Sequence, residues 1–158
     1  MTYKPKVLEV LAGGTGVTTS IGPTNGSTIL GGGLTTYSPT IGDGTNNFTT
    51  STANGWYQRI GAIYYFWINV IWTSKGSAVA GTSLKVSLPI APSGTLNFAP
   101  VIIGKNDNIT AANSLAGQIT GSNQFIDFVN FRSGNTSQVI NVSGAGNTGN
   151  MILSGFYQ

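Results

Sequence analysis

Leu84, Val86 and Leu88 alternate with Ser83, Lys85 and Ser87, the period-two pattern of a strand with one buried face, and the run stops at Pro89. Comparable short runs, rich in β-branched and aromatic residues, recur from Leu34 to the end of the chain. Gly, Pro, Asn, Asp or Ser clusters interrupt them about every eight to twelve residues, the spacing of an all-β sandwich or barrel. Leu34 to Ile41 reads as a strand that Pro39 confines to an edge, closed by the turn Gly42-Asp43-Gly44-Thr45. Further strands are expected at Leu96 to Ile103, Leu115 to Thr120, Gln124 to Phe131, Ser137 to Val142 and Met151 to Tyr157. Asn106-Asp107-Asn108, Gly121-Ser122-Asn123, Ser133-Gly134-Asn135 and Gly144-Ala145-Gly146-Asn147 read as their separators.

The most apolar stretch breaks the alternation. Trp56 to Ile60 and Ala62 to Thr73 read as two strands, or as one long strand bent at Gly61. Tyr64, Phe66, Ile68, Val70 and Trp72 fall on one face, and Ile63, Tyr65, Trp67, Asn69, Ile71 and Thr73 on the other. Apolar residues on both faces imply cover on both sides, by the domain's own core and by a second layer or a neighbouring subunit. Ser74-Lys75-Gly76-Ser77 supplies the following turn. No stretch shows a 3.6-residue period, so eight or nine strands form an antiparallel β-sandwich of jelly-roll or Ig-like type over residues 34–158. Residues 1–33 differ: Gly13-Gly14-Thr15-Gly16, Gly22-Pro23, Asn25-Gly26 and Gly31-Gly32-Gly33 punctuate short apolar pieces, which predicts an extended Gly-rich N-terminal arm.

Composition narrows the chemistry. The 158 residues include seven Lys or Arg, four Asp or Glu, no His and no Cys, so imidazole and thiolate ligands, Ser-His or Cys-His nucleophiles and disulfides are all absent. Hydrophobic residues at 40% suffice for a core. The basic residues Lys4, Lys6, Arg59, Lys75, Lys85, Lys105 and Arg132 form no stripe, which argues against nucleic acid as a partner. The longest apolar run, Ala62 to Trp72, is well short of the roughly 20 residues of a membrane helix, so membrane insertion is not expected.

Each remaining candidate for chemistry has a plainer structural explanation. Gly13-Gly14-Thr15-Gly16 lacks the Gly-Lys-Ser/Thr that follows a phosphate loop. Glycosidase chemistry needs two carboxylates across a bond, and only Glu9, Asp43, Asp107 and Asp127 are available. Ser74 with Lys75 and Ser83 with Lys85 stand at hairpin positions that suit solubility better than a Ser-Lys pair. Asp43-Gly44-Thr45-Asn46 and Asn106-Asp107-Asn108 are oxygen-rich, but Asx turns explain them without a cation. Asp127 lies in the alternation Phe125, Asp127, Val129, Phe131, which predicts burial and a pairing with Arg59 or Arg132. The sequons at Asn25, Asn47, Asn108, Asn135 and Asn141 match what a chain rich in Asn, Ser and Thr produces by chance. No catalytic residue, metal or cofactor is expected. A ligand contact, if any, belongs on loop tips around Asn106, Asn123, Asn135 and Asn147.

Two stretches resemble virion fibre proteins. Leu11-Ala12-Gly13-Gly14-Thr15-Gly16-Val17-Thr18-Thr19 is similar to the Gly-Gly-Thr-Gly-x-Thr-Thr segment of bacteriophage tail fibres. Gly55-Trp56-Tyr57-Gln58-Arg59-Ile60-Gly61, the aromatic strand Ile63 to Trp72, and Val86-Ser87-Leu88-Pro89 resemble the C-terminal knob-like domain of phage tail-fibre and head-fibre proteins. Ser154-Gly155-Phe156-Tyr157 fits the Gly-aromatic strand on which such domains finish. The resemblance implies a trimeric β-sandwich that acts as a fibre knob, spike or capsid-surface element, contacts other virion or capsid proteins, and meets a host cell-surface glycan. The alternatives are a minor capsid or cement protein docking by its N-terminal arm, and a carbohydrate-binding module. Within the arm, Val7, Leu8, Val10 and Leu11 are the expected oligomer or shell contacts.

Overall fold

The computed structural model describes residues 33–93, 99–110, 114–121, 123–131 and 137–158, and nearly all of the regular structure in them is antiparallel β. The N-terminal arm, with Val7, Leu8, Val10 and Leu11, lies outside the described residues apart from Gly33. In chain order the strands are β1 (Thr35–Tyr37), β2 (Ile41–Gly42), β3 (Thr49–Ile60), β4 (Ile63–Ser74) and β5 (Lys85–Ser87). They continue with β6 (Ala99–Ile109), β7 (Ser114–Ile119), β8 (Phe125–Phe131), β9 (Gln138–Val139) and β10 (Ala145–Tyr157). One sheet joins them in the order β1-β3-β4-β10-β6-β7-β8-β5-β2, with β9 pairing β8. The inward residues of β4 and β10 share one core with those of β5, β7 and β8, so the sheet curls over itself in a sandwich-like arrangement.

Edge and turn chemistry explain the path. Leu34 to Ile41 forms two short strands rather than one, because Ser38-Pro39-Thr40 separates β1 from β2. The two occupy opposite ends of the strand order, where a proline between them removes no ladder hydrogen bond. β3 and β4 form a hairpin, with Ile60 opposite Ile63 and Gly61 at φ 61°, which glycine adopts without strain. The Gly-Trp-Tyr-x-Arg-Ile-Gly stretch therefore ends on a turn requirement. It also begins on a packing one: a Cβ on Gly55 would overlap the Tyr37 ring from β1.

Two separators expected from composition lie inside strands. Asn106-Asp107-Asn108 belongs to β6, and Ala145-Gly146-Asn147 opens β10 after a 3-10 turn at Val142–Gly144. Backbone pairing overrides the turn preference at both sites: Ala145 pairs Ile109, Asn150 pairs Asp107, and the ladder shifts between them. Asn108 takes up the irregularity at φ 64°, a conformation that Asn tolerates better than most residues.

The core follows the alternation. Ile68, Val70, Met151 and Leu153 from the centre of the sheet, with Leu84, Val86, Ile126 and Phe128 from the other side, are fully buried. β10, flanked by β4 over Gly149–Tyr157 and by β6 over much of the same length, is the middle of the more extensive half.

Candidate functional site

The outward face of β3, β4, β10 and β6 carries the second apolar stripe. In register, Trp56 stands opposite Trp67, Trp67 opposite Ser154, and Ser154 opposite Ile102. The next rows add Tyr65 beside Phe156, and Asn69 beside Ile152. The indoles of Trp56 and Trp67 lie 4.4 Å apart at 33°, and the rings of Tyr65 and Phe156 are 5.9 Å apart. Nothing in the chain's described residues covers the outer part of this face: Ile102 is 68% exposed, Phe156 52% and Tyr65 44%. The expectation of two-sided cover for β4 thus holds for its inner face, and its outer face is left partly open.

The electrostatics of the face are close to neutral. Lys105 Nζ and Asp107 Oδ2, two residues apart on β6, pair at 3.0 Å. Asn69 Oδ1 and Asn150 Oδ1 are buried among their neighbours and accept no hydrogen bond, although an unsatisfied buried carbonyl costs about 1–3 kcal/mol. The other half of the sheet has a different character. There Lys85, Asp127 and Gln118 line up across β5, β8 and β7, a mixed polar row suited to water.

Asp127 departs from its expected partners. Burial raises its pKa, opposed by the nearby Lys85 ammonium and by the Thr120 hydroxyl, which donates to Oδ2 at 3.4 Å. Arg59 is elsewhere: its Nε–H donates to the Gly61 carbonyl at 2.8 Å and its guanidinium lies over Tyr64, 5.5 Å from the ring centre. Arg132 falls outside the described residues. Alternation predicted burial among apolar groups, but Asp127 is only half-buried, in a polar row whose members cross-strand register selects.

A chain of tyrosines closes one end of the core. Tyr37 meets Tyr57 edge-on at 6.1 Å, Tyr57 lies 6.4 Å from Tyr64, and Tyr64 stacks on Tyr157 at 5.5 Å. The Tyr157 hydroxyl donates to the Ile90 carbonyl at 2.7 Å and accepts from the Ile90 N–H at 3.3 Å. The Tyr37 hydroxyl is buried without a partner, and desolvation raises its pKa far above the ordinary range.

The other expected candidates sit in structural roles. Asp43 Oδ1 accepts from the N–H groups of Thr45 (2.8 Å) and Asn46 (2.6 Å), and Oδ2 accepts from the Asn46 side chain (3.0 Å) and the Val79 N–H (2.9 Å). This is the expected Asx turn, extended to tie the loop at Val79 to it. The bonds from Asn46 lead in holding the carboxyl well below its ordinary value of 3.8. A depressed folded-state pKa gives stability that is present above pH 3.8 and is lost as pH falls below it. Asp43→Ala is therefore expected to lower the melting temperature at pH 7 and to flatten its decline below pH 4, as read by thermal scans across pH.

Among the described residues no group of three His, Cys, Asp or Glu side chains converges to hold a metal. No described helix is long and apolar enough to cross a membrane. Of the loop tips, Asn106 and Asn147 are strand residues, Asn123 remains in the β7–β8 connection, and Asn135 lies outside the described residues. Ile102 gave no sequence signal beyond being apolar, and Phe156 none beyond its place in the terminal Gly-aromatic stretch. Their outward direction follows from the register of β6 on β10, where Val101 and Gly155 take the inward places.

No family model and no curated protein matches the chain. Among solved structures, the crystal structure of Dettilon tailspike protein superposes with a TM-score of 0.61 at 17% identity, over 78% of this chain and 23% of the tailspike. The chain thus spans about a quarter of that protein's length, and what the two share is a β fold.

Proposed function

We propose that the protein is a structural, non-enzymatic element of a virus particle, a fibre knob or spike exposed at the particle surface. It assembles as a homotrimer through the outward face of β4, β10 and β6, leaving the outer edge at β3 and β1 free, and meets a host-surface glycan. The observation that carries this reading is the open aromatic face itself. Tyr65, Phe156 and Ile102 form its exposed centre, with the partly covered Trp67, Ile71 and Ile152 beside them, an apolar surface that a second copy of the chain would cover. The internal Lys105–Asp107 pair lets identical surfaces meet without charge repulsion. The tailspike-like fold and the fibre-like Gly55–Gly61 stretch point the same way.

The non-enzymatic part rests on the fate of the carboxylates. Among the described residues, Asp43 is committed to four hydrogen bonds, Asp107 to Lys105, and Asp127 lies on the other half of the sheet; Glu9 lies outside them. Light scattering on the purified chain tests the assembly: a three-chain mass is expected, and Ile102→Glu with Phe156→Glu is expected to give one-chain mass with an unchanged far-UV spectrum. A wild-type monomer overturns the trimer. Release of reducing ends from a polysaccharide by that preparation overturns the non-enzymatic assignment.

A further inference from the structure

A groove of about 440 Å³ runs along the seam of β1 and β3, within the roughly 300–1,000 Å³ of small-ligand sites. Thr36 and Ser38 line one side, Asn54 and Trp56 the other, with Tyr37 crossing at Gly55. We infer that this groove binds a short neutral saccharide, stacked on Trp56 and held by the Asn54 amide and the hydroxyls of Thr36 and Ser38.

Four features support that ligand class. Trp56 is braced on one side by Trp67 at 4.4 Å, and opposite it in register stands Thr36, too small to cover an indole. A fixed aromatic face is what the C–H surface of a sugar ring packs against, since the π cloud is negative and those hydrogens are positive. The polar groups around it are amide and hydroxyl, able both to donate and to accept, as sugar hydroxyls require. They are uncommitted: Thr36, Ser38 and Asn54 make no side-chain hydrogen bond to another described residue. Among the described residues no Lys or Arg lines the groove, which disfavours phosphates, nucleotides and acidic sugars.

This inference deepens the glycan contact proposed above and rests on it for the source of the sugar. The test uses the full chain against a printed panel of neutral glucose, galactose, mannose and rhamnose oligosaccharides, with sialylated and sulfated ones as controls. Binders are then titrated by tryptophan fluorescence. Neutral oligosaccharides are expected to bind, and Trp56→Ala to weaken them about tenfold or more. Because Trp56 also braces Trp67, the double variant Ser38→Ala with Asn54→Ala serves as a second probe and is expected to weaken binding with the light-scattering mass unchanged. Binding of no neutral oligosaccharide, a preference for charged ones, or binding that survives both variants overturns the inference. A trimer that binds no sugar removes the groove and keeps the assembly, and a monomer that binds one does the reverse.

Discussion

Trp72→Ala is expected to cost about 3–5 kcal/mol, much of the ~5–15 kcal/mol that holds an ordinary domain folded. Trp72 is 1% exposed, with the Phe48 ring 6.0 Å away on one side. Its partner in register on β10 is Gly149, and a Cβ there would overlap the indole, so the glycine exists to admit the ring. Removing the ring leaves a void walled by β-sheet backbone that cannot collapse into it. It also leaves the Gly146 carbonyl without the indole N–H that donates to it at 3.0 Å. Trp72→Phe retains most of the packing while losing the hydrogen bond and part of the indole, and is expected to cost less, about 1–3 kcal/mol. Denaturant titration followed by circular dichroism reads both; an unchanged midpoint for the alanine variant would refute the role assigned to this residue.

Tyr157→Ala is the second large effect, at about 3–5 kcal/mol by loss of a buried aromatic. The ring is 2% exposed, packs on Tyr64 and Phe66, and ties β10 to the Ile90 backbone through both hydrogen bonds of its hydroxyl. Tyr157→Phe keeps the packing and isolates those bonds, at about 0.5–1.5 kcal/mol. The hydroxyl also sets an alkaline limit. Burial, more than the neighbouring tyrosines, raises its pKa from 10.0 to about 12. A raised folded-state pKa gives stability that is complete below pH 10 and is lost as pH climbs through 12. Tyr157→Phe should therefore unfold less steeply than wild type over that interval in a pH-jump experiment monitored by fluorescence. An equal slope would show that the phenol does not set the limit.

The two faces of β4 show where sequence reading succeeds and where it stops. Alternation divided Ile63 to Thr73 correctly, and the strength of its apolar residues on both sides announced that the second face was unusual. Pro39 marked an edge, and Asp43-Gly44-Thr45-Asn46 marked an Asx turn, because both depend on interactions within a few residues. Asn106-Asp107-Asn108 misled because turn propensity is weak beside a ladder supplied from far along the chain, in which Asn106 pairs Met151 and Asp107 pairs Asn150. The partners of Asp127 were hidden for the same reason. The groove beside Trp56 was also invisible, since it depends on β1 pairing with β3 across the intervening β2, a relation that no local pattern encodes.

The strand on which the rest of the sheet depends, β10, is synthesised after both of the strands it joins. β10 enters between β4 and β6, so until residues 145–157 have left the ribosome the sheet is two fragments, each with an exposed hydrogen-bonding edge and an uncovered apolar face. Closure then happens late and joins contacts distant in sequence, a slow step during which incomplete chains are prone to aggregate.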